Sequence, residues 1–310
     1  MPRSSLPGVH PPLPNPNTDT HRPTVLVTGA SSGIGRATAL EMAGRGWRVL
    51  AGVRRPIDGE ELAQAAVDGG AAGHVEWLPL DLLRPGDVVA AADRLRMASR
   101  GGGLDGLVNS AGIALSGPLE LLPLDGLREQ LEVNSIAPIA LVQALAEPLR
   151  QARGRVVNLS SVSGRNSLPF LGPYCASKFA LEALSDALRV ELAPWGVRVI
   201  VVRPGKVATP MWGRARSAAR DLWKGFPAED RARYRAARSA IEQMAGRGRM
   251  TAPETVARVI ARALTTPRPR SRYVVGWDAR LGTAFSHLPD RWRDWLIRRA
   301  IGDGGSSPSP

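Results

Sequence analysis

Short apolar runs alternate along this chain with longer stretches in which apolar residues recur every three or four positions. Thr24–Thr28, Arg48–Val53, Val75–Leu80, Leu104–Val108, Gly154–Ser160, Val197–Arg203 and Arg272–Val275 are the short runs. They are rich in Val and Leu and bounded by Gly, Pro or charged residues, which predicts strands. Because they do not alternate apolar with polar, they read as strands buried on both faces, the situation of a parallel sheet with helices above and below. The segments between them supply the helices. One follows the first strand as far as Gly46, an Ala-rich one follows the second, and one is predicted over 85–100. Leu124–Arg150 repeats apolar residues at Leu127, Leu131, Ile139 and Leu145, with Pro138 and Pro148 disturbing it. Leu181, Leu184, Leu188 and Leu192 mark the clearest stripe, spaced three, four and four. Thr251-Ala-Pro-Glu254 has the spacing of a capping box and predicts a helix opening at Thr251. The expected architecture is a single α/β domain with a doubly wound, seven-stranded parallel sheet and helices on both faces.

The pattern also divides the chain. Residues 1–22 hold six prolines and no apolar period, which predicts a disordered leader, and 303–310 read as a disordered tail. Between them, 23–276 form the main unit. Within it, 210–249 is an Arg-rich, helical insertion carrying Trp212, Trp223, Phe226 and Tyr234, well placed after the sixth strand to serve as a substrate lid. Residues 277–302 form a C-terminal amphipathic region with Leu288, Trp292, Trp295 and Leu296 on one stripe, read as core or lid packing in preference to a membrane-surface contact.

Charge and cysteine content narrow the function classes. The formal net charge of +13 comes almost wholly from the C-terminal third, where Lys and Arg outnumber Asp and Glu by 20 to 8 between Trp212 and Ile301. The basic residues are scattered arginines, not clusters interleaved with aromatics, so compositional bias explains them first, an anionic surface second and nucleic acid last; no nucleic-acid partner is expected. No run approaches 18 apolar residues, so the protein is expected to be soluble or peripheral. Cys175 is the single cysteine, which excludes an intramolecular disulfide and offers no metal-ligand spacing. No metal is expected, and a reducing, cytoplasmic location fits.

The candidate chemistry begins where the first strand runs into Thr28-Gly29-Ala-Ser31-Ser32-Gly33-Ile34-Gly35. A Gly-rich turn between a strand and a helix lets backbone N–H groups and the helix N-terminus approach a pyrophosphate, so this is a dinucleotide site of the Rossmann type. After the second strand, Gly52 stands where an acid would hold the ribose hydroxyls of NAD, and Arg54 follows. A guanidinium suits the 2′-phosphate of NADP, which makes NADP(H) the expected cofactor over NAD. Asp81, with Leu82 beside it, closes the third strand, where its carboxylate can accept from adenine or cap the next helix. Asn109, Ala111 and Gly112 bring small residues to the fourth strand's end, and Pro204, Gly205, Val207 and Thr209 form a rigid turn suited to a nicotinamide carboxamide. Finally, Tyr174 and Lys178 are one helical turn apart, with Ser161 at the end of the fifth strand. An ammonium beside a phenol favours phenolate, so Tyr174 is expected to have a lowered pKa and to act as a general acid/base, with Ser161 holding the substrate oxygen. Asn134, a polar residue within a helical pattern, is expected to be buried with partners and to support a proton-relay water.

Taken together, these motifs resemble the short-chain dehydrogenase/reductase family in its non-extended branch. The resemblance runs from residue 24 to about 210, plus the last strand, and rests on Thr-Gly-x-x-x-Gly-x-Gly at 28–35, Asp81, Asn-x-Ala-Gly at 109–112, Asn134, Ser161, Tyr174-x-x-x-Lys178 and Pro-Gly-x-Val-x-Thr at 204–209. It implies a complete Asn134–Ser161–Tyr174–Lys178 catalytic set, with Lys178 also on the ribose. Ser110 departs from the pattern, where many members have a second Asn. The segment around Tyr174-Cys-Ala-Ser-Lys178-Phe-Ala-Leu-Glu is similar to the hydroxysteroid and retinol dehydrogenases, which implies a bulky apolar alcohol or ketone. The expected activity is hydride transfer between NADP(H) and such a secondary alcohol or ketone. A cofactor-binding sensor without turnover is the alternative, disfavoured by the intact proton-relay set. Surplus apolar positions on the helices carrying Asn134 (Leu141, Val142) and Tyr174 (Phe179, Ala183) need a cover, and the resemblance implies a homodimer or homotetramer paired through those helices, the alternative being the Arg-rich insertion or C-terminal helix of the same chain.

Overall fold

The computed structural model describes residues 22–98, 103–246 and 248–302. The leader through residue 21 and the tail 303–310 lie outside the described residues. Strands β1 (Thr24–Thr28), β2 (Arg48–Val53), β3 (His74–Pro79), β4 (Gly106–Asn109), β5 (Arg155–Leu159), β6 (Arg198–Pro204) and β7 (Arg272–Val275) form one sheet in the order β3-β2-β1-β4-β5-β6-β7. All its pairings are parallel, with β1 against both β2 and β4, and β6 against β7. The seven predicted strands are all present; β1, β2 and β7 have the expected ends and the other four shift by one or two residues.

Successive side chains of a strand point to opposite faces, and β1 shows the result. Val25 and Val27 enter one core, with Met42 and Ile260, while Leu26 enters the other, with Leu95, Leu141 and Leu145. The first core is closed by α1 (Gly33–Gly44) and α2 (Pro56–Asp68) together with α10 (Pro253–Thr265), and the second by α3 (Pro85–Ala98), α5 (Ala137–Ala144) and α7 (Gly172–Glu191). This is the doubly wound α/β arrangement.

Two helical expectations are revised. The stretch from Leu124 to Arg150 is divided into α4 (Leu124–Leu131), one π-helical turn (Glu132–Ile136), α5 and α6 (Ala146–Gln151). Thr251 does not cap α10, which starts at Pro253 after Ala252, with no side-chain cap. Its backbone is engaged elsewhere: Thr251 N–H donates to Lys206 O at 2.8 Å and Thr251 O accepts from Ala208 N–H at 3.0 Å. The 210–249 insertion is helical as expected, being α8 (Pro210–Gly225) and α9 (Ala228–Gly246). After β7 come α11 (Trp277–Phe285) and α12 (Asp290–Ile301). Leu288, Trp292 and Leu296 are exposed, so that stripe is not core packing.

Candidate active site

In an open α/β sheet a ligand crevice forms at the carboxyl ends of strands where the strand order reverses. Here that point lies between β1 and β4, and an open cleft of about 1210 Å³ lies there. Among the sequence-predicted site residues, all except Asn109 and Asn134 line it.

The cradle at the β1 end has the shape a pyrophosphate requires. Gly29 and Gly33 have φ of +64° and +56°, which side chains with a Cβ rarely adopt. A Cβ on Gly35 would lie 2.2 Å from Gly29 O. No side chain caps α1 at Ser32, so the first N–H groups of this helix are left to serve the cleft. Thr28 turns out to be structural as well as lining: its hydroxyl accepts from Ser110 N–H and Ala111 N–H, both at 3.1 Å, and so ties the loop after β4 to β1. At the next strand, β2 offers no carboxylate. Gly52 packs under Leu80, and Arg54 reaches the cleft while Arg55 pairs with Asp58. Asp81 lines the cleft, but it does not cap α3; its Oδ1 accepts from Leu83 N–H at 3.1 Å.

Asn109 is placed differently from expectation. It is buried beneath the cleft, where its amide donates to Asn158 Oδ1 at 2.8 Å, and Asn158 donates to Ser185 Oγ at 2.8 Å. This chain joins β4, β5 and α7, so Asn109 supports the site without lining it. Asn134 sits in the π-helical turn, a local geometry that recurs at functional sites. Its side chain does not line the cleft but sits behind it; it accepts from Ile113 N–H and donates to Ile113 O, both at 2.9 Å, and donates to Ser177 Oγ at 3.0 Å. What the side chain does in this structure is clamp the loop after β4 onto α7.

Tyr174, Lys178 and Ser161 converge in the cleft. Ser161 Oγ accepts from Ser163 N–H at 3.1 Å, which fixes its position, and it lies near enough to the Tyr174 phenol to favour the ionised form. Lys178 Nζ donates to Leu159 O at 2.8 Å and lies 5.9 Å from the Tyr174 ring centre. The pKa expectation for the tyrosine is reversed. Burial pushes the phenol up to about 12, outweighing the opposing influence of Ser161. Burial likewise brings the lysine down to about 8, against the opposing field of Glu182 one turn further along α7. The pair was legible from its spacing; its desolvation was not.

Several contacts that sequence reasoning missed complete the site. Trp212, at the start of α8, packs edge-on against Tyr174 with ring centres 5.5 Å apart. Asp278, in the first turn of α11, accepts from Lys206 N–H at 2.5 Å and fills the space beside Gly205, holding the 204–209 turn. Glu182 is buried and chelates Arg203 of β6 at 2.5 and 2.6 Å, with Arg272 of β7 at 3.2 Å. The signal for Glu182 was its four-residue step from Lys178; nothing local marked Asp278. Cys175 is a free, buried thiol, as expected of a packed small residue, and burial raises its pKa.

A doubly wound sheet with a glycine phosphate cradle at its switch point, facing a buried Ser–Tyr–Lys group, defines a dinucleotide-dependent oxidoreductase. The model of the short chain dehydrogenase family matches residues 23–220, and the chain belongs to that family. Retinol dehydrogenase 5 of Mus musculus is 38% identical over 288 residues, covering 89% of each chain. The 17-beta-hydroxysteroid dehydrogenase type 6 of Bos taurus is 33% identical over 285 residues, covering 89% of this chain and 88% of its own. Among solved structures, a short-chain dehydrogenase from Sphingobium yanoikuyae in complex with NADPH superposes with a TM-score of 0.66 at 26% identity, covering 93% of this chain and 98% of that one. The protein is thus an NAD(P)-dependent oxidoreductase acting on an alcohol or ketone, in the hydroxysteroid and retinol dehydrogenase-like subgroup.

Proposed function

We propose that the protein interconverts a bulky, apolar secondary alcohol and its ketone, of steroid, retinoid or lipid type, using NADP(H). The observation that carries this reading is the convergence of Ser161, Tyr174 and Lys178 with the glycine cradle in one cleft, closed over Tyr174 by Trp212. The cradle, the absence of an acid at Gly52 and the reach of Arg54 support NADP(H), and the presence of Lys178 in the same cleft supports its role on the ribose. When bound, the nicotinamide supplies or accepts the hydride. The chain's own part is proton transfer and orientation. With its pKa raised, Tyr174 holds its proton near neutral pH and donates it to the carbonyl oxygen as the ketone is reduced. Ser161, fixed by Ser163, orients that oxygen, and Asn134 keeps the loop after β4 seated on α7. Helices α8 and α9 form the substrate lid; Tyr234 of α9 reaches across to Glu120 at 2.7 Å, and its ring meets Phe170 at 6.0 Å. A screen of ketones and alcohols of graded size with both cofactors tests the reading; turnover confined to small polar substrates would overturn the apolar assignment.

Cofactor choice can be tested separately. Arg54→Ala should weaken NADPH binding roughly ten- to a hundredfold, the loss expected for hydrogen bonds to a charged group, and leave NADH binding nearly unchanged. Fluorescence titration with both nucleotides measures this, and equal losses would show that Arg54 does not read the 2′-phosphate.

We further infer a dimer through α7. Leu141 and Val142 are buried within the chain and cannot contribute, but Ala176, Phe179, Ala183, Ala187 and Val190 form an exposed apolar stripe along α7, joined by Ile136. Such a face needs a partner, and a two-fold axis along it pairs like with like. Sedimentation at micromolar concentration should show twice the 33.0 kDa chain mass, and Phe179→Glu should dissociate it. A wild-type species remaining at the monomer mass rules the dimer out.

A further inference from the structure

A pyrophosphate lying on the glycine cradle would meet no side-chain cation from the cradle itself. Residues 28–35 include no Lys or Arg, and Arg36, in the first turn of α1, lines a different groove, beside Pro253 and Glu254. Among the described residues three cationic side chains line the cleft: Arg54, Lys178 and Arg214. Arg54 follows β2 and Lys178 stands with Tyr174, which gives them the 2′-phosphate and the ribose in the function proposed above. The pyrophosphate is then left with backbone N–H groups and a helix end equivalent to roughly half a charge, less than its full negative charge calls for.

Arg214 comes from the lid. Helix α8 begins on the cradle, since a Cβ on Gly33 would lie 2.9 Å from Thr209 Cγ2 and 3.9 Å from Pro210 Cδ. Arg214 is four residues past Pro210 and so shares its face of the helix, and helical side chains lean toward the N-terminus, here back toward the cradle. Trp212 leaves that face and packs on Tyr174. Lys224, Arg233 and Arg238 of the lid each face a carboxylate, whereas Arg214 is exposed and makes no ion pair among the described residues.

We propose that Arg214 is a further cofactor-binding residue, a lid-borne guanidinium for the pyrophosphate, and that a bound dinucleotide thereby fastens α8 over the cleft. The guanidinium fork suits two phosphate oxygens at once. The lid has need of such a tether: Ala215 is the buried residue of α8 and no described side chain of α9 is buried, so few apolar contacts hold either helix down. The proposal rests on a dinucleotide occupying the cleft, and not on the choice between NADP(H) and NAD(H) or on the substrate.

Fluorescence titration of the full chain with NADPH and with NADH tests it. Arg214→Ala is expected to weaken both nucleotides by the same factor, about tenfold or more, and Arg214→Glu to weaken both further. Both variants should melt at the wild-type temperature without nucleotide, because the side chain is exposed. The inhibition constant of adenosine 2′-monophosphate, which has no pyrophosphate, should not change in Arg214→Ala. Chymotrypsin reads the lid itself: saturating NADPH should protect the joint between α8 and α9, at Trp223 and Phe226, in the wild type and not in Arg214→Ala. Unchanged affinity for both nucleotides, a loss confined to NADPH, or equal protection of the two proteins overturns the proposal. Wild-type protein that binds neither nucleotide overturns the dinucleotide site, and the role of Arg214 with it.

Discussion

Tyr174→Phe is expected to cut turnover by at least about 10²-fold, the lower range for loss of a general acid, with cofactor binding and melting temperature close to wild type. The phenylalanine ring keeps the packing against Trp212, and only the hydroxyl near Ser161 is removed. The effect should therefore fall on the chemical step, which single-turnover kinetics separates from binding. A pH profile of the wild type adds a second reading. Because burial raises the phenol to about 12, the phenolate needed to accept a proton in alcohol oxidation is scarce near neutrality and grows about tenfold per pH unit. Oxidation should accelerate with pH from about 7 to 10, whereas ketone reduction, which uses the phenol, should not. Near-normal turnover by the Phe variant would remove Tyr174 from the proton-transfer role.

The contrast between what this chain's pattern shows and what it hides has a physical origin. Strands such as Thr24–Thr28 are buried on both faces, so their composition alone marks them. The glycine cradle was equally legible, since positive φ and the 2.2 Å approach at Gly35 admit no other residue comfortably. The π-helical turn at Asn134 was not, because apolar spacing cannot distinguish one extra residue per turn from an ordinary helix with two prolines nearby. Thr251 carried the right side chain for a cap, but β-like pairing with the 206–208 segment had already claimed its backbone. Surplus apolar surface is hidden for a similar reason: α5 and α7 are apolar on more than one face, and only three dimensions reveal that Leu141 turns inward and Phe179 outward. Long-range partners such as Asp278 and the 204–209 turn, 72 residues apart for the Lys206 contact, leave no local trace at all.

The most damaging single change outside the proton-transfer group should be Glu182→Ala. Glu182 and Arg203 are both nearly inaccessible, with side chains 5% and 7% exposed, and the two carboxylate oxygens accept from guanidinium Nε and Nη2. Removing it strands a buried cation, a defect that costs about 3–5 kcal/mol and should lower the melting temperature by on the order of 10 °C. Arg272 can compensate little for the loss. It already holds Asp186 at 2.5 Å, nearer the surface, and its approach to Glu182 is one more cation on the same carboxylate. Asp186→Ala supplies the comparison: that carboxylate is 40% exposed, solvent screens its pairs, and its removal should cost below about 1 kcal/mol. The site should feel the first change and not the second. Arg203 directly precedes Pro204-Gly205, and Glu182 shares α7 with Tyr174 and Lys178, so the ion pair fastens the helix bearing Tyr174 to the strand that ends in the 204–209 turn. Thermal and urea melts of the two variants measured side by side decide the matter, and equal destabilisation would show that the Glu182–Arg203 pair carries no special share of the fold.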